Sequence, residues 1–395
     1  MGYELVTLYD VARHAGVSIA TVSRVLHGQG PVRDNTRDRV RSAIDELGYV
    51  PDGAAQSLAR NRKDVIGLVA VEHMGLKPDQ YDIESMSLLF YDAVIRGVEL
   101  RIREKNWALL INFLREEEDM AQQESVQSRL LALSGKVDGL LIGEGILAPQ
   151  TLAKLARRLP LVVVAGDTAQ RAVDVVSADN WSGAHALVEH LVVDHGRRRL
   201  FHIGGPATAP DATERRLAMA AVIEANPGTA LTGSYTGLFS VTSGREGTLA
   251  MLAAGGELPD ALVCANDQMA IGALRTLAER GIRVPDDIAV VGFDDIFPAS
   301  LCEPPLTTVH QPIRKLAEVA CDRLAQRIND PTLRPKQELL PTELVLRSSC
   351  GCPPGTMERW EVRHVARRKP TGAAKSGRPL AGTAAVAAEP LTAER

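Results

Sequence analysis

The chain has 395 residues, 45% hydrophobic and 24% charged, enough for two or three compact units of ordinary globular composition. No apolar run reaches the ~18 residues that suggest a membrane-spanning helix. The five cysteines are odd in number and scattered, which excludes a disulfide framework. Net charge is −4 but uneven: residues 1–63 carry nine Lys/Arg against seven Asp/Glu, residues 355–395 carry eight against four, and the span between is left at −10. A mildly basic head on an acidic body suits a protein whose head alone meets nucleic acid.

In chain order, MGYELVTLYD shows no basic stretch leading into an apolar one, so a signal peptide is not expected and a cytoplasmic location is. Residues 7–50 read as three short helices. Thr7 caps the first, LYDVARHA, with Asp10 in its first turn, and Leu8, Val11 and Ala12 form its inner face. Gly16 stops it, and Ser18 caps the second helix, IATVSRVL, whose apolar stripe is Val22, Val25 and Leu26. A third helix starts at Asp34 or Asn35 and carries Val40, Ile44 and Leu47.

Two short helices around a tight AGVS turn are a helix-turn-helix, with the second helix placed for the major groove. Ile19 and Ala20 come first at base edges, where they can read thymine methyls or pack on sugar. Arg24, one turn on, fits guanine or a phosphate. Thr21 and Ser23 suit phosphates, and His27, Arg33, Asn35 and Arg37 are further backbone contacts. Thr7 and Ser18, the helix caps, complete the candidate DNA-contacting set.

Residues 52–63 form a short polar segment in which Ala55, Leu58 and Ala59 share a face, too short to hold a helix alone. From Val65, β-branched runs alternate with helical stretches. Strands are expected at 65–71, 108–113, 139–143, 161–165, 175–178, 199–205, 261–266 and 288–294. Near-continuous apolar strands joined by helices mean buried parallel sheets, and their number asks for two doubly wound lobes with a ligand crevice between them. The fold class expected is thus an all-α helix-turn-helix head plus a two-lobe α/β body. The domains are 1–51 (head), 52–63 (linker), 64–350 (effector-binding and dimerisation body) and 351–395 (a disordered basic tail).

No metal is expected. Cys350 and Cys352 have one intervening residue, poor spacing for structural zinc, and no second cysteine pair exists. His185, His190 and His195 are five apart and share no helix face. With His73 they form no catalytic set. No phosphate-binding glycine motif or nucleophile elbow occurs in a strand-to-helix context, so no enzyme and no cofactor are expected.

Two long stretches, VTLYDVARHAGVSIATVSRVLHGQGPVRDNTRDRVRSAIDELGYVPDGAAQSLA and ALVCANDQMAIGALRTLAERGIRVPDDIAVVGFDDIFPASLCEPPLTTVHQPI, resemble the LacI/GalR family of bacterial repressors. The similarity spans roughly residues 5–350. It implies a periplasmic-binding-protein-like body and a hinge helix at 52–60 that folds on operator DNA, with Leu58 as a minor-groove wedge and Ala55 at a helix–helix contact. It also implies effector contacts from Arg216, Phe239, Asn266 and Asp294.

Each effector position has a second reading: Arg216 as a solvated helix residue, Asn266 as the cap of a helix from Asp267, Asp294 as a turn cap with Asp295, and Phe239 as core. The family's glycine and aromatic after the arginine are replaced by Met219 and Ala220, Val164 stands where a first-lobe aspartate can lie, and the loop at 72–90 is longer and more acidic. Residues 355–395 lack the C-terminal leucine heptad of tetrameric members, which points to a homodimer.

The function expected is a sequence-specific repressor that binds a near-palindromic operator as a dimer and is released by a sugar-like effector. Corepression or activation by a nucleoside or phosphorylated metabolite stands as the alternative, and a solute-binding protein as the rival of another class.

Overall fold

The computed structural model describes residues 6–28, 30–50, 62–72, 88–115, 123–143, 145–166 and 171–366. They fall into two units, Met1–Asp64 and Val65–Arg395. The hinge reading for 52–60, with Ala55 and Leu58, and most of the acidic loop at 72–90 lie outside the described residues, as do residues 367–395.

The head is built from α1 (Leu8–Ala15), α2 (Ile19–His27) and α3 (Asp34–Leu47). Thr7 and Asp10 form a reciprocal capping box: Thr7 Oγ1 accepts from the Asp10 amide, and Asp10 accepts from the Thr7 amide at 3.0 Å. Gly16 ends α1 at φ 62°, a left-handed turn that costs glycine little. Val11, Ala12, Ala15, Val22, Val40 and Ala43 are buried together, and Val25, Leu26 and Ile44 pack on them. Arg39 reaches back from α3 to the carbonyls of Ala15 and Gly16, locking the turn against the third helix.

In the body, the first lobe uses β1 (Val65–Glu72), α4 (Leu88–Lys105), β2 (Ala108–Arg115), α5 (Gln123–Ser134), β3 (Gly139–Gly143), α6 (Pro149–Ala156), β4 (Leu161–Val164) and β5 (Asp174–Ala178). The chain then crosses into the second lobe. That lobe holds α7 (Asn180–Glu189), a π turn (His190–Asp194), β6 (Arg199–Gly204), α8 (Pro210–Ala225), β7 (Ala230–Thr236), α9 (Val241–Ala253), β8 (Ala261–Cys264), α10 (Asp267–Glu279) and β9 (Ala289–Val291).

After β10 (Thr308–His310) the chain returns to the first lobe as α11 (Ile313–Asn329) and β11 (Gln337–Leu340). It then leaves again for β12 (Glu343–Leu346) and β13 (Glu358–Glu361). The first sheet runs β11-β5-β4-β3-β1-β2 and the second β7-β6-β8-β9, all pairs parallel. A third sheet, β10-β12-β13, is antiparallel. In such folds a ligand crevice is expected where strands end and the chain changes lobe.

The return of α11 is secured by packing and charge. Leu316, Ala317, Ala320 and Leu324 enter the same core as Ile66, Leu68 and Val98. Asp174, with no exposed surface, accepts from Arg323 Nε at 2.7 Å, from Arg327 Nε, and from the Lys336 amide at 2.8 Å. In the second lobe α9 and α10 approach at Gly244 and Gly272, where any Cβ would overlap the facing backbone of Met269 and Val241.

Three expectations need correction. The folded chain does not stop at 350: β13 pairs with β12, and the Val365 amide donates to Ser182 Oγ at 2.8 Å, so residues beyond 350 belong to the fold. Residues 230–236 form a strand that periodicity missed, because β7 is an edge with largely exposed or half-buried positions. Finally, His190 and His195 do meet. An α-helix places i and i+5 on different faces, but here the His195 amide donates to the His190 carbonyl and the wider π turn aligns them.

Candidate DNA-contacting face and effector crevice

The outer face of α2 begins at its cap. Ser18 Oγ accepts from the Thr21 amide and lies 2.9 Å from Thr21 Oγ1, so both hydroxyls define the helix start. Ile19, Ala20 and Arg24 are exposed, while Thr21 and Ser23 are half-buried. Val22 is fully buried on the opposite side. The amphipathic period thus leaves one apolar pair and one cation free to meet a groove.

Arg33 and Asn35 are exposed around the start of α3. Arg37 is more committed than expected, because it pairs with Asp34 at 2.7 Å and donates to the Val32 carbonyl. His27 closes α2, and its side chain lies outside the described residues. Tyr9, 66% exposed beside Thr7, is a surface aromatic that sequence reasoning passed over. Its signal was its position off the Leu8–Val11–Ala12 face.

A cleft of about 530 Å³ opens in the body, lined among others by Asp92, Asp294, Phe297, His310 and Gln311. Asp294, at φ 121°, accepts from Gln311 Nε2 at 2.6 Å, the last residue but one before α11. Burial raises its pKa, opposed by the charge of Arg215 and the Gln311 bond. Neighbouring Asp267 is wholly buried and accepts from Thr308 Oγ1 at 2.5 Å and the Ile296 amide at 3.0 Å. Burial, then the charge of Asp294, pushes its pKa up strongly.

Of the expected effector residues, Asn266 and Asp294 lie at strand ends as anticipated, but Arg216 does not turn inward. It is exposed on α8, and Arg215 holds the interior position. Arg215 Nε donates to Asn180 Oδ1 at 3.0 Å, Nη1 to the Ala265 carbonyl at 2.6 Å, and Nη2 to Asp211 at 3.2 Å. Its guanidinium lies over the Phe293 ring. Two adjacent arginines are indistinguishable by composition, and only the helix rotation selects between them.

Asn266 caps α10 by accepting from the Met269 amide and also donates to the Phe239 carbonyl at 3.1 Å, so the capping role weighed for it is filled. Phe239, at φ 59°, lays its ring against Gly205, where a Cβ would overlap it, and packs on the second-lobe core. Asn180 and Gln311 were missed; a lone amide carries no periodic signal. A second constellation, His190, His195, Cys350 and Cys352, shares no residue with this one.

A capped helix-turn-helix with a free outer face, carried with a two-lobed α/β body, defines a DNA-binding transcriptional regulator with a small-molecule-binding body. Residues 7–52 match the model of bacterial regulatory proteins of the lacI family, and residues 188–350 match that of the periplasmic binding protein-like domain. The chain belongs to the LacI family.

It is 31% identical over 348 residues to the transcriptional regulator DegA of Bacillus subtilis (strain 168), covering 87% of this chain and 97% of that one. It is 31% identical over 349 residues to the lactose operon repressor of Escherichia coli (strain K12), covering 88% and 91%. The crystal structure of the lac repressor dimer bound to operator and the anti-inducer ONPF superposes with a TM-score of 0.75 at 30% identity, covering 88% and 99%.

Proposed function

We propose that this regulator represses transcription as a homodimer on a near-palindromic operator and is released when a sugar-like molecule enters the crevice of the body. It acts in the cytoplasm, at the nucleoid, and catalyses no reaction. The observation that carries the reading is the outer face of α2, where Ile19, Ala20 and Arg24 stand exposed on a capped, core-anchored helix. One such head binds weakly, so pairing of two heads is needed for operator affinity.

The crevice supports a polyol-like effector. Asp294 and Gln311 offer an acceptor and an amide at the cleft, with Arg215 and Asn180 behind them, a set suited to vicinal hydroxyls. Ligand binding between lobes that the chain crosses three times shifts their relative populations, and that shift changes head affinity. An operator selected from random duplexes with the purified protein, then titrated by fluorescence anisotropy with sugars, nucleosides and sugar phosphates, tests this. The expected result is two-fold symmetric sites and weakened binding with a sugar. Asymmetric half-sites, or binding that no ligand shifts, overturns it; tightening by a ligand reverses the sign.

A further inference from the structure

The four groups His190, His195, Cys350 and Cys352 each offer one ligand atom, and these atoms all lie within 4.8 Å of one another. His190 and Cys350 are buried, and His195 and Cys352 are half-buried. The two Nε2 atoms are 3.1 Å apart with the imidazole rings perpendicular. The four nitrogen–sulfur separations are 3.6 and 3.6 Å from Cys350, and 3.5 and 3.4 Å from Cys352.

Four ligands on a tetrahedral zinc ion, with Zn–N about 2.05 Å and Zn–S about 2.3 Å, stand about 3.5 Å apart from N to S and about 3.3 Å from N to N. The cluster already has those edges. As neutral hydrogen bonds the five contacts cannot all be made: one proton at most lies between the two Nε2 atoms, and each thiol has a single proton for two nitrogen neighbours, so some of these close contacts are left lone pair to lone pair unless a cation sits among them.

Each ligand is placed by a specific local device. The π turn carries His190 and His195 to one face. Gly351, at φ 115°, turns the chain between the two cysteines, and a Cβ there would come 3.2 Å from His195 Nδ1. That left-handed turn is what makes a one-residue spacing workable. Outside the ligand atoms, His190 Nδ1 bonds Asp194 Oδ2 at 2.7 Å, the carboxylate–histidine arrangement that fixes a metal-binding tautomer. Thr307 Oγ1 lies 3.2 Å from Cys350 Sγ.

We propose that His190, His195, Cys350 and Cys352 bind one zinc ion per chain in a closed, four-ligand structural site. The ion would fasten the segment after β12 to the π turn behind α7. A two-His, two-Cys set with no open position suits structural zinc and not a hydrolytic centre.

The test uses untagged full-length protein, purified under reducing conditions. Elemental analysis is expected to find one zinc per chain. Stripping with a chelator should lower the Tm, and added zinc should restore it. Cobalt(II) loading should give tetrahedral d–d bands with thiolate charge transfer, which zinc then bleaches. Cys352→Ser and His195→Ala should each abolish the cobalt spectrum, Cys302→Ser should leave it unchanged, and Asp194→Asn should weaken zinc about 10- to 100-fold.

The wild-type cobalt spectrum and zinc-dependent Tm decide the matter even if a ligand variant fails to fold. Absence of both signals in reduced wild-type protein overturns the proposal. So does full zinc content retained in the His195→Ala, Cys352→Ser double variant.

Discussion

Arg215 holds its Nη1 atom 3.8 Å from Oδ1 of Asp294, two largely buried charges that meet at the edge of the crevice. The same guanidinium sits 3.9 Å from the centroid of the Phe293 ring and bonds three further oxygens, so one of its faces and all three of its nitrogens are engaged. It therefore serves two ends at once. It offsets the buried carboxylates, and it holds the strand-end loops that a ligand would touch.

Removing Arg215 leaves Asp294 and Asp211 without their cation. Arg215→Ala is expected to destabilise the protein by about 3–5 kcal/mol, as for other broken buried pairs, and to abolish the effector response. Arg216→Ala, on the exposed side of α8, should change stability by no more than about 0.5 kcal/mol and keep that response. Urea denaturation and effector-induced operator release measure both. Equal effects at the two positions would refute the inward assignment of Arg215.

Arg24 is the exposed cation of α2. If it reads guanine, Arg24→Ala relaxes preference at one base pair of each half-site and costs about 1–3 kcal/mol there. Binding to a library of singly substituted operators measures this. Uniform weakening across the library, with a smaller salt dependence, would identify a phosphate contact instead.

Asp174 is the buried anchor for the returning helix α11. Asp174→Ala strands Arg323 and Arg327 against the first-lobe core and should cost about 3–5 kcal/mol. Chemical denaturation of the full chain is the measurement. A loss under 1 kcal/mol would mean that apolar packing alone holds α11 in place.

His202, buried in β6, has its pKa lowered to about 4 by burial, reinforced by the charge of Arg216. In the unfolded chain it titrates near its ordinary ~6.5. The folded state thus favours the neutral ring. Its contribution is intact above about pH 6.5 and is lost as pH falls toward 4, on the order of 3 kcal/mol in all. His202→Leu should flatten the stability–pH curve between pH 7 and 4.5, read from urea midpoints. Parallel curves for the two proteins would rule this role out.

Much of the molecule is legible in the one-dimensional pattern. The head announces itself because a helix-turn-helix is local: the Thr7 and Ser18 caps, the Gly16 turn and the Val11, Val22 and Val40 core lie within 34 residues. The central strands are nearly as plain: β3 and β4 are buried along their whole length and read as unbroken apolar runs, while β5 carries Asp174 and Ser177 among its buried positions. The edge strand β7 and the short antiparallel sheet escaped because half-exposed strands carry no such run.

Local sequence determined the head, the alternation of strands and helices, and the family. Tertiary structure alone decided three things. It sent α11 and β11 back to the first lobe, which chain order would have left in the second, because their apolar face and arginines fit the core and Asp174 there. It chose Arg215 over Arg216 by the rotation of one helix. And it brought His190 and His195 to Cys350 and Cys352, more than 150 positions away, through a π turn and a left-handed glycine whose geometry no pattern of residue types spells out.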